Sequence, residues 1–229
     1  MKIATWNLER RTKYSRRNPA IIDCLVKIDA DIIILTETNE CISLGDRYNY
    51  YLSARLEGSY YKDGERRVSI YSKKESIEHI ESFREDTSIC ERIVTESGSI
   101  VVYGTVIGIY GNRNKGFMDD LDRQMVDFER IAETGNFCLS GDLNISFSDN
   151  YYYTKEGRRK LNDLFEKLNL VNLTAEIPQN IDHILVSSAF VRDRARRIET
   201  WNEDKKLSDH IGGAVEIYSI GYVGYGEVD

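Results

Sequence analysis

The chain has 229 residues, of which 41% are hydrophobic and 30% charged, so it can bury a large core and is not mainly disordered. Its formal net charge of −7 argues against non-specific coating of nucleic acid, although it leaves room for a local basic cleft. Four scattered cysteines without a CxxC pair argue against a thiolate zinc centre, and the lack of a signal-peptide core or a membrane-length apolar run predicts a cytoplasmic protein without a membrane span.

The N-terminal part of the chain predicts a strand–helix–strand unit. Residues 2–6 form a short apolar strand, and Asn18 before Pro19 is typical of a helix cap followed by the first helical position. Apolar residues then recur with helical spacing, at Ile21, Ile22, Leu25 and Ile28. The continuous apolar run 31–35 is typical of a strand buried on both faces. Both strands end in polar residues, which should therefore emerge at equivalent strand ends.

The remainder of the chain predicts a strand meander followed by helices and further strands. Candidate strands of the meander are residues 48–54, 68–72, 92–96, 100–105 and 106–110. Helical spacing of apolar residues predicts a long helix over 117–132 and another over 161–168. Further strands are expected at 136–140, 181–187 and 211–217, before a glycine-rich tail that we expect to be loose from about residue 219. We see no linker, so we expect residues 1–229 to form a single domain.

Five clusters of polar side chains follow or precede apolar strands. They are Asn7 with Glu9, Glu37, Asp142 with Asn144, Asp182 with His183, and Asp209 with His210. Each cluster alone is typical of an ordinary turn or strand end. Together they supply many oxygen ligands and a histidine beside an aspartate. Such a set suits a hard divalent cation that keeps positions open for phosphate oxygens, next to a proton-handling pair.

Five short motifs occur in a fixed order between residues 5 and 210: TWNLE, ILTETN, GDLN, IDHILVS and LSDH. In this order they resemble the endonuclease/exonuclease/phosphatase superfamily, which includes DNase I-like nucleases and exonuclease III-like repair enzymes. The resemblance implies an α/β fold, a four-layer α/β sandwich in which two mostly antiparallel β-sheets pack face to face with helices outside. It also implies Mg²⁺ or Mn²⁺ as the cofactor.

The resemblance further implies a role for each motif residue. Metal ligation falls to Glu37, supported by Asn7, Glu9 and Asp209. In catalysis, Asp142 positions or deprotonates the attacking water, Asn144 contacts the phosphate, and His210, oriented by Asp182, stabilises charge on the phosphoryl oxygens. Tyr110 resembles the family's phosphate-contacting tyrosine, whereas we interpret Gln124 and His183 as structural.

Basic and aromatic side chains flank these motifs and favour a polymeric substrate. Candidate substrate-binding residues are Arg10, Arg11, Arg16, Arg17, Asn112 and Arg113, and the tyrosines 151–153 could stack on bases. We therefore predict a metal-dependent nuclease acting on DNA or RNA. Two alternatives stay open: a phosphatase or phosphodiesterase for a small-molecule or lipid phosphoester, and a non-catalytic nucleic-acid-binding domain. The sequence indicates no obligate protein partner.

Overall fold

The computed structural model describes residues 1–96, 98–109 and 111–219, and two six-stranded sheets form its centre. In chain order the elements are β1 (Lys2–Asn7), α1 (Asn18–Ile28), β2 (Ile32–Asn39), β3 (Asn49–Leu52), β4 (Glu65–Ser72), β5 (Ser76–His79), β6 (Ser88–Thr95), β7 (Gly98–Val106), α2 (Gly116–Ala132), β8 (Phe137–Asp142), α3 (Lys155–Lys167), β9 (Leu170–Asn172), β10 (Asp182–Ser187), α4 (Ser188–Val191), β11 (Arg194–Trp201) and β12 (Gly212–Ser219). The first sheet has the order β11-β12-β1-β2-β4-β3 and the second the order β5-β6-β7-β8-β10-β9.

Three apolar clusters define four layers. The cluster between the sheets is built from residues of both, including Ile34, Val68, Val102 and Ile184. A second cluster packs α2 and α3 against the outer face of the second sheet, and a third packs α1 against the outer face of the first sheet. The predicted four-layer α/β sandwich is therefore confirmed. Its two sheets are mixed, because β1–β2 and β7–β8 are parallel pairs among antiparallel neighbours.

The parallel pairs explain why the polar clusters meet. In the first sheet, β1 and β2 run parallel and end at the same edge, where antiparallel β12 begins. In the second sheet, the last residue of β8, Asp142, lies opposite the first residue of β10, Asp182. Helices α1 and α2 make the crossovers inside the two parallel pairs. Each sheet thus presents one edge with its polar strand ends, and these two edges face each other.

Several predicted strands differ from the observed ones. Residues 100–105 and 106–110 are not two strands, because one strand, Gly98–Val106, spans the first region and the chain turns at 107–109. The predicted strand 92–96 is the end of a longer strand, Ser88–Thr95. Three further strands, Ser76–His79, Leu170–Asn172 and Arg194–Trp201, were not predicted. Among the described residues no helix is long and apolar enough to cross a membrane.

The start of α1 also differs from the predicted cap. Asn18 lies inside the helix, the N-cap position falls on Arg17, and no side chain caps the first turn. Instead the buried Asn18 amide donates to the Thr12 carbonyl at 2.9 Å and fixes the preceding loop. Pro19 does occupy the first turn, as expected from its fixed φ and missing N–H.

Candidate active site

The predicted pair of Asp182 and His210 joins the two sheets across the cleft. Nδ1 of His210 lies 2.6 Å from Oδ2 of Asp182, whose side chain is almost fully buried. Burial alone would lower the pKa of His210, but the charge of Asp182 and its hydrogen bond outweigh burial and raise that pKa to about 10. The imidazole is therefore held as a cation, with Nδ1 donating to Asp182 and Nε2 turned toward Asp209 at 3.7 Å.

The backbone around His210 is fixed by the first sheet. Its carbonyl accepts from the Trp6 indole at 3.0 Å and from the Asn202 amide at 2.7 Å. The Ser208 hydroxyl accepts from the His210 N–H at 3.2 Å and donates to the Asn7 carbonyl at 2.6 Å. The loop that carries the histidine is therefore tied to the end of β1, so the ring has little freedom to leave Asp182.

A second bridge between the sheets runs through Asp142. One of its oxygens accepts from the Asn7 side-chain amide at 3.1 Å and the other from the Asn144 N–H at 2.9 Å. Burial and the neighbouring charge of Asp182 raise the pKa of Asp142 well above its usual range. Asn144 adopts φ 53° and donates its side-chain amide to the Ile107 carbonyl at 2.9 Å. Asp142 is thus a buried carboxyl with raised basicity at the base of the cleft.

Glu37 occupies an unusual position on β2. The ladder between β2 and β4 passes from Thr36 opposite Val68 to Thr38 opposite Arg66, and Glu37 lies between these pairs with φ 45°. Its side chain is 22% exposed, and within the described residues its carboxylate accepts no hydrogen bond. Burial raises the pKa of Glu37, against the opposing charge of Arg67. A left-handed backbone at a non-glycine residue is a cost that folds retain mainly at functional sites.

Of the remaining predicted metal residues, Glu9 and Asp209 are partly or largely exposed and Asn7 is buried. Glu9 adopts φ 54°, is ion-paired with Arg11, and accepts from the Asp209 N–H at 3.3 Å. Asp209 has a largely exposed side chain. Asn7 is buried, and its side-chain oxygen accepts from the Glu9 N–H at 2.8 Å. Glu9 thus links the buried Asn7 to the exposed Asp209 by hydrogen bonds.

The donor set fits a divalent cation of the hard type. Burial leaves the Glu37 carboxylate desolvated and without a hydrogen-bond donor, and Asp209 adds a further negative charge nearby. Elsewhere in the described chain, as here, no three His, Cys, Asp or Glu side chains converge closely enough to coordinate an ion alone. Magnesium tolerates such a site because it binds through one or two carboxylates and keeps several waters.

The predicted substrate-binding residues separate into paired and free groups. Arg10 binds the buried Glu65 at 2.6 Å, and Arg11 pairs with Glu9, so both cations are neutralised within the fold. Arg16, Arg17 and Arg113 are exposed. Asn112 is 2% exposed and donates to the Asn144 carbonyl at 2.7 Å, which places it beneath the site as a support. Tyr110 lies outside the described residues.

A cavity of about 340 Å³ opens beside His210 and brings in residues that were not predicted. Its lining includes Asp182, Asp209, His210, Tyr151, Tyr152, Gln179, Asn180 and Lys205. The Lys205 ammonium lies 4.7 Å from the centre of the Tyr151 ring and 3.2 Å from its hydroxyl. Tyr152 accepts from the Asn112 N–H at 3.2 Å, so one of the three predicted tyrosines also buttresses the Asn144 loop. Lys205 could not be singled out from sequence because it stands in an ordinary charged turn.

The interpretation of His183 and Gln124 as structural agrees with their surroundings. His183 is fully buried and hydrogen-bonded to the Ile145 carbonyl at 2.9 Å, and burial lowers its pKa to about 4. Gln124 is buried in α2 and accepts from the Thr105 hydroxyl at 2.6 Å. Neither side chain faces the cleft that holds His210.

The sequence matches the Endonuclease/Exonuclease/phosphatase family over residues 4–210. The chain therefore belongs to the endonuclease/exonuclease/phosphatase family, a superfamily of nucleases and phosphatases. A comparison with curated proteins returns no match.

Solved structures share the fold at low sequence identity. An AP endonuclease from Archaeoglobus fulgidus superposes with a TM-score of 0.72 at 16% identity, covering 95% of this chain and 99% of that chain. A 3' phosphatase from Neisseria bound to product DNA hairpin gives a TM-score of 0.69 at 16% identity, covering 95% and 99%. An endonuclease/exonuclease/phosphatase from Beutenbergia cavernae DSM 12333 gives 0.69 at 13% identity, covering 96% and 72%. At these identities the likeness establishes the fold.

Proposed function

We propose that this protein hydrolyses phosphodiester bonds in nucleic acid, with Mg²⁺ or Mn²⁺ as its cofactor. The observation that carries the proposal is the Asp182–His210 pair, which joins the two sheets at 2.6 Å, together with the buried Asp142 and the partly exposed Glu37 carboxylate. One cleft thus holds a positively charged hydrogen-bond donor, His210, and a carboxyl of raised basicity, Asp142. It also holds Glu37, a desolvated carboxylate and the candidate metal ligand. These are the groups that phosphoryl transfer to water requires.

In the proposed reaction each side chain has a distinct task. Glu37, with Asn7, Glu9 and Asp209 around it, would hold the cation, which supplies charge neutralisation at the phosphate when bound. Asp142 orients the attacking water and accepts its proton, a task for which its raised basicity suits it. His210 donates from Nε2 to a phosphoryl oxygen, because Nδ1 is engaged by Asp182. Asn144, whose side-chain amide also donates to the Ile107 carbonyl, contacts the phosphate.

Support for a nucleic-acid substrate comes from the exposed cations and from structural neighbours. Arg16, Arg17 and Arg113 are exposed beside the segments that carry the motifs. Among proteins of the same fold, one is an AP endonuclease and another is a phosphatase solved with a DNA hairpin. The resemblance of the chain to nucleases in five motifs agrees with both observations.

One observation favours a small phosphoester as the second candidate substrate. Arg10 and Arg11, which would contact the phosphates of a polymer, are already ion-paired with Glu65 and Glu9. The cavity of about 340 Å³ beside His210 has room for a compact ligand. A substrate panel of duplex DNA, abasic DNA, single strands, RNA and phosphomonoesters, with Mg²⁺ or Mn²⁺, decides between the candidates. The nuclease proposal expects an oligonucleotide to give the highest kcat/KM.

The metal requirement is tested by Glu37→Gln together with chelation. Removing the charge of Glu37 should abolish cation-dependent hydrolysis while thermal unfolding stays near that of the wild type, since the carboxylate makes no hydrogen bond in the described structure. Glu57→Gln, at an exposed position, is the matched control and should keep full activity. Full wild-type activity in EDTA would contradict the proposal.

A further inference from the structure

Arg67 is a buried cation whose donors are unused. It lies on β4 at the position facing Glu37 on β2, between the pairs Thr36–Val68 and Thr38–Arg66. The residue is only 5% exposed, and its Nε is fully buried without a partner. Within the described residues its guanidinium makes no hydrogen bond, and the closest carboxylate oxygen is Oε1 of Glu37 at 3.8 Å. Its only electrostatic contact at short range is thus a long ion pair with Glu37, and its N–H donors make no hydrogen bond within the described residues.

Neighbouring arginines show that acceptors are not scarce in this region. Arg66, the preceding residue on the strand, points to the opposite face and is bonded to Glu40 and to the Ser53 carbonyl. Arg10 takes both oxygens of Glu65, at 2.6 and 3.2 Å. The fold thus gives Arg66 and Arg10 hydrogen-bonded acceptors, whereas in the described part of the chain Arg67 has only the 3.8 Å ion pair with Glu37.

A buried guanidinium that makes no hydrogen bond in the described structure is costly to a fold, even beside an opposite charge, and this favours a ligand for its donors. The planar fork of arginine matches two oxygens of a phosphate, and such charge-assisted bonds are the strong ones. The Tyr61 ring lies 5.4 Å from the guanidinium carbon, which restrains it by a cation–π contact. A phosphate oxygen drawn toward a cation at Glu37 would lie within reach of these donors.

We propose that Arg67 binds a phosphate group of the substrate beside Glu37, and so forms an anion subsite on the β4 side of the cleft. The subsite is defined by the 3.8 Å contact of Arg67 with the Glu37 carboxylate and by the Tyr61 ring beside it. The identity of its ligand as a substrate phosphate rests on the proposed function, whereas the capacity of Arg67 to bind an anion does not.

The test compares Arg67→Met with Arg66→Met, its neighbour on the opposite face of the same strand. Inorganic phosphate is the first probe, used as a competitive inhibitor and in thermal-shift titrations, and an oligonucleotide is the second. Loss of a bidentate charge-assisted contact should raise the phosphate inhibition constant and the oligonucleotide KM by about tenfold to a hundredfold in Arg67→Met. Arg66→Met, assayed where it is fully folded, should stay within about twofold of the wild type.

Thermal unfolding separates substrate binding from a purely structural role. Because methionine replaces a buried guanidinium whose only short-range electrostatic contact in the described structure is a 3.8 Å ion pair, the unliganded Arg67→Met variant should unfold at or above the wild-type Tm, and phosphate should stabilise it far less than the wild type. A variant with lowered Tm and wild-type phosphate affinity would make Arg67 a structural counter-ion of Glu37 and overturn the inference. If the wild type hydrolyses no phosphoester, the proposed function fails, yet the phosphate titration still decides whether Arg67 binds an anion.

Discussion

His210 shows how one residue depends on both sheets. Its ring is held by Asp182 at the start of β10, while its backbone is held by Trp6 and Ser208. The imidazolium is thus prepositioned before any substrate binds, which is the arrangement that lowers a barrier electrostatically.

Replacing His210 by alanine should lower kcat on the order of 10²–10³-fold, the typical loss for one preorganised donor. The KM should change less, because the donor matters most in the transition state. Steady-state kinetics on the preferred substrate measure both constants. His79→Ala, a histidine on the β5 edge, is the control and should keep the wild-type kcat. Equal kcat for His210→Ala and wild type would remove the histidine from the mechanism.

At the residue scale, the sequence predicted the residues that bond to one another in the cleft, but it did not single out Arg67. Asp182, His210, Asp142 and Asn7 were identified through ordered motifs, and they do converge. In the sequence, Arg67 is the second of two arginines in the segment ERRVS, directly before the predicted strand 68–72. Its burial and lack of acceptors depend on how β2, β4 and the Tyr61 loop pack together, which no local pattern encodes.

In the segment between β1 and α1, the exposed arginines lie only at the end next to α1. Arg10 and Arg11 are engaged by Glu65 and Glu9, and Arg16 and Arg17 are exposed. The double change Arg16→Ala and Arg17→Ala should flatten the salt dependence of oligonucleotide binding, since each lost phosphate contact removes about 0.7–0.9 from the slope. Affinity measured by fluorescence polarisation from low to moderate salt provides the slope.

The control for this segment lies at the far edge of the sheets. Lys74 and Arg192 are exposed beyond the ends of β4 and β10 that point away from the cleft. Changing both to alanine removes the same charge but should leave the salt slope as in the wild type. An equal slope for the two double variants would mean that nucleic acid does not contact residues 16 and 17.

Strand β5 places a titratable group at a sheet edge. Nδ1 of His79 lies 2.8 Å from the buried Glu91 carboxylate and Nε2 lies 3.2 Å from that of Glu85, and the protonated ring donates to both. The hydrogen bond with Glu91 raises the pKa of His79 above its ordinary value of 6.5, and the charge of Glu85 adds to it against a lowering by burial. Because the folded-state pKa is raised, this contribution to stability is complete below about pH 6.5. It is lost as pH rises through the folded-state pKa.

His79→Gln should therefore unfold more easily than the wild type near pH 6, and the difference should vanish near pH 9. The histidine side chain is about half exposed, so solvent screening keeps the effect modest. Urea midpoints at a series of pH values measure it. A stability difference independent of pH would assign the loss to packing of β5 and not to the charge on His79.

Edge strands were the elements that the sequence missed. The two sheets end in β11 and β3, and in β5 and β9, and of these only β3 lay within a predicted strand. The missed segments are short or charged, as in RARRIETW, because an edge strand with an exposed face needs no apolar run. Central strands such as β2 and β8 are buried on both faces, and their continuous apolar stretches make them predictable from sequence.

At the scale of the whole molecule, the two sheets approach each other closely at Gly104. A Cβ at Gly104 of β7 would lie 2.8 Å from Val68 Cγ1 and 3.2 Å from Ile34 Cγ2 of the opposite sheet. Gly104→Ala should therefore destabilise the protein by about 1–3 kcal/mol through overpacking. Chemical denaturation provides the free energy of unfolding.

Gly213→Ala is the matched control in the other sheet. Its added Cβ would meet Ile177 Cδ1 at 3.6 Å, an ordinary contact, so stability should be unchanged or slightly higher. If both variants lost the same free energy, the cost would reflect glycine in a strand and not the close approach of the two sheets.

The two hydrogen-bonded bridges across the cleft also determine when, during synthesis of the chain, the cleft can form. Asn7 meets Asp142, and Asp182 meets His210, so the cleft draws on the beginning, middle and late part of the described chain. A growing polypeptide cannot complete it until residue 210 has left the ribosome and β12 has joined β1. Under the proposed function, nucleic acid near the site of synthesis is spared until the enzyme is finished.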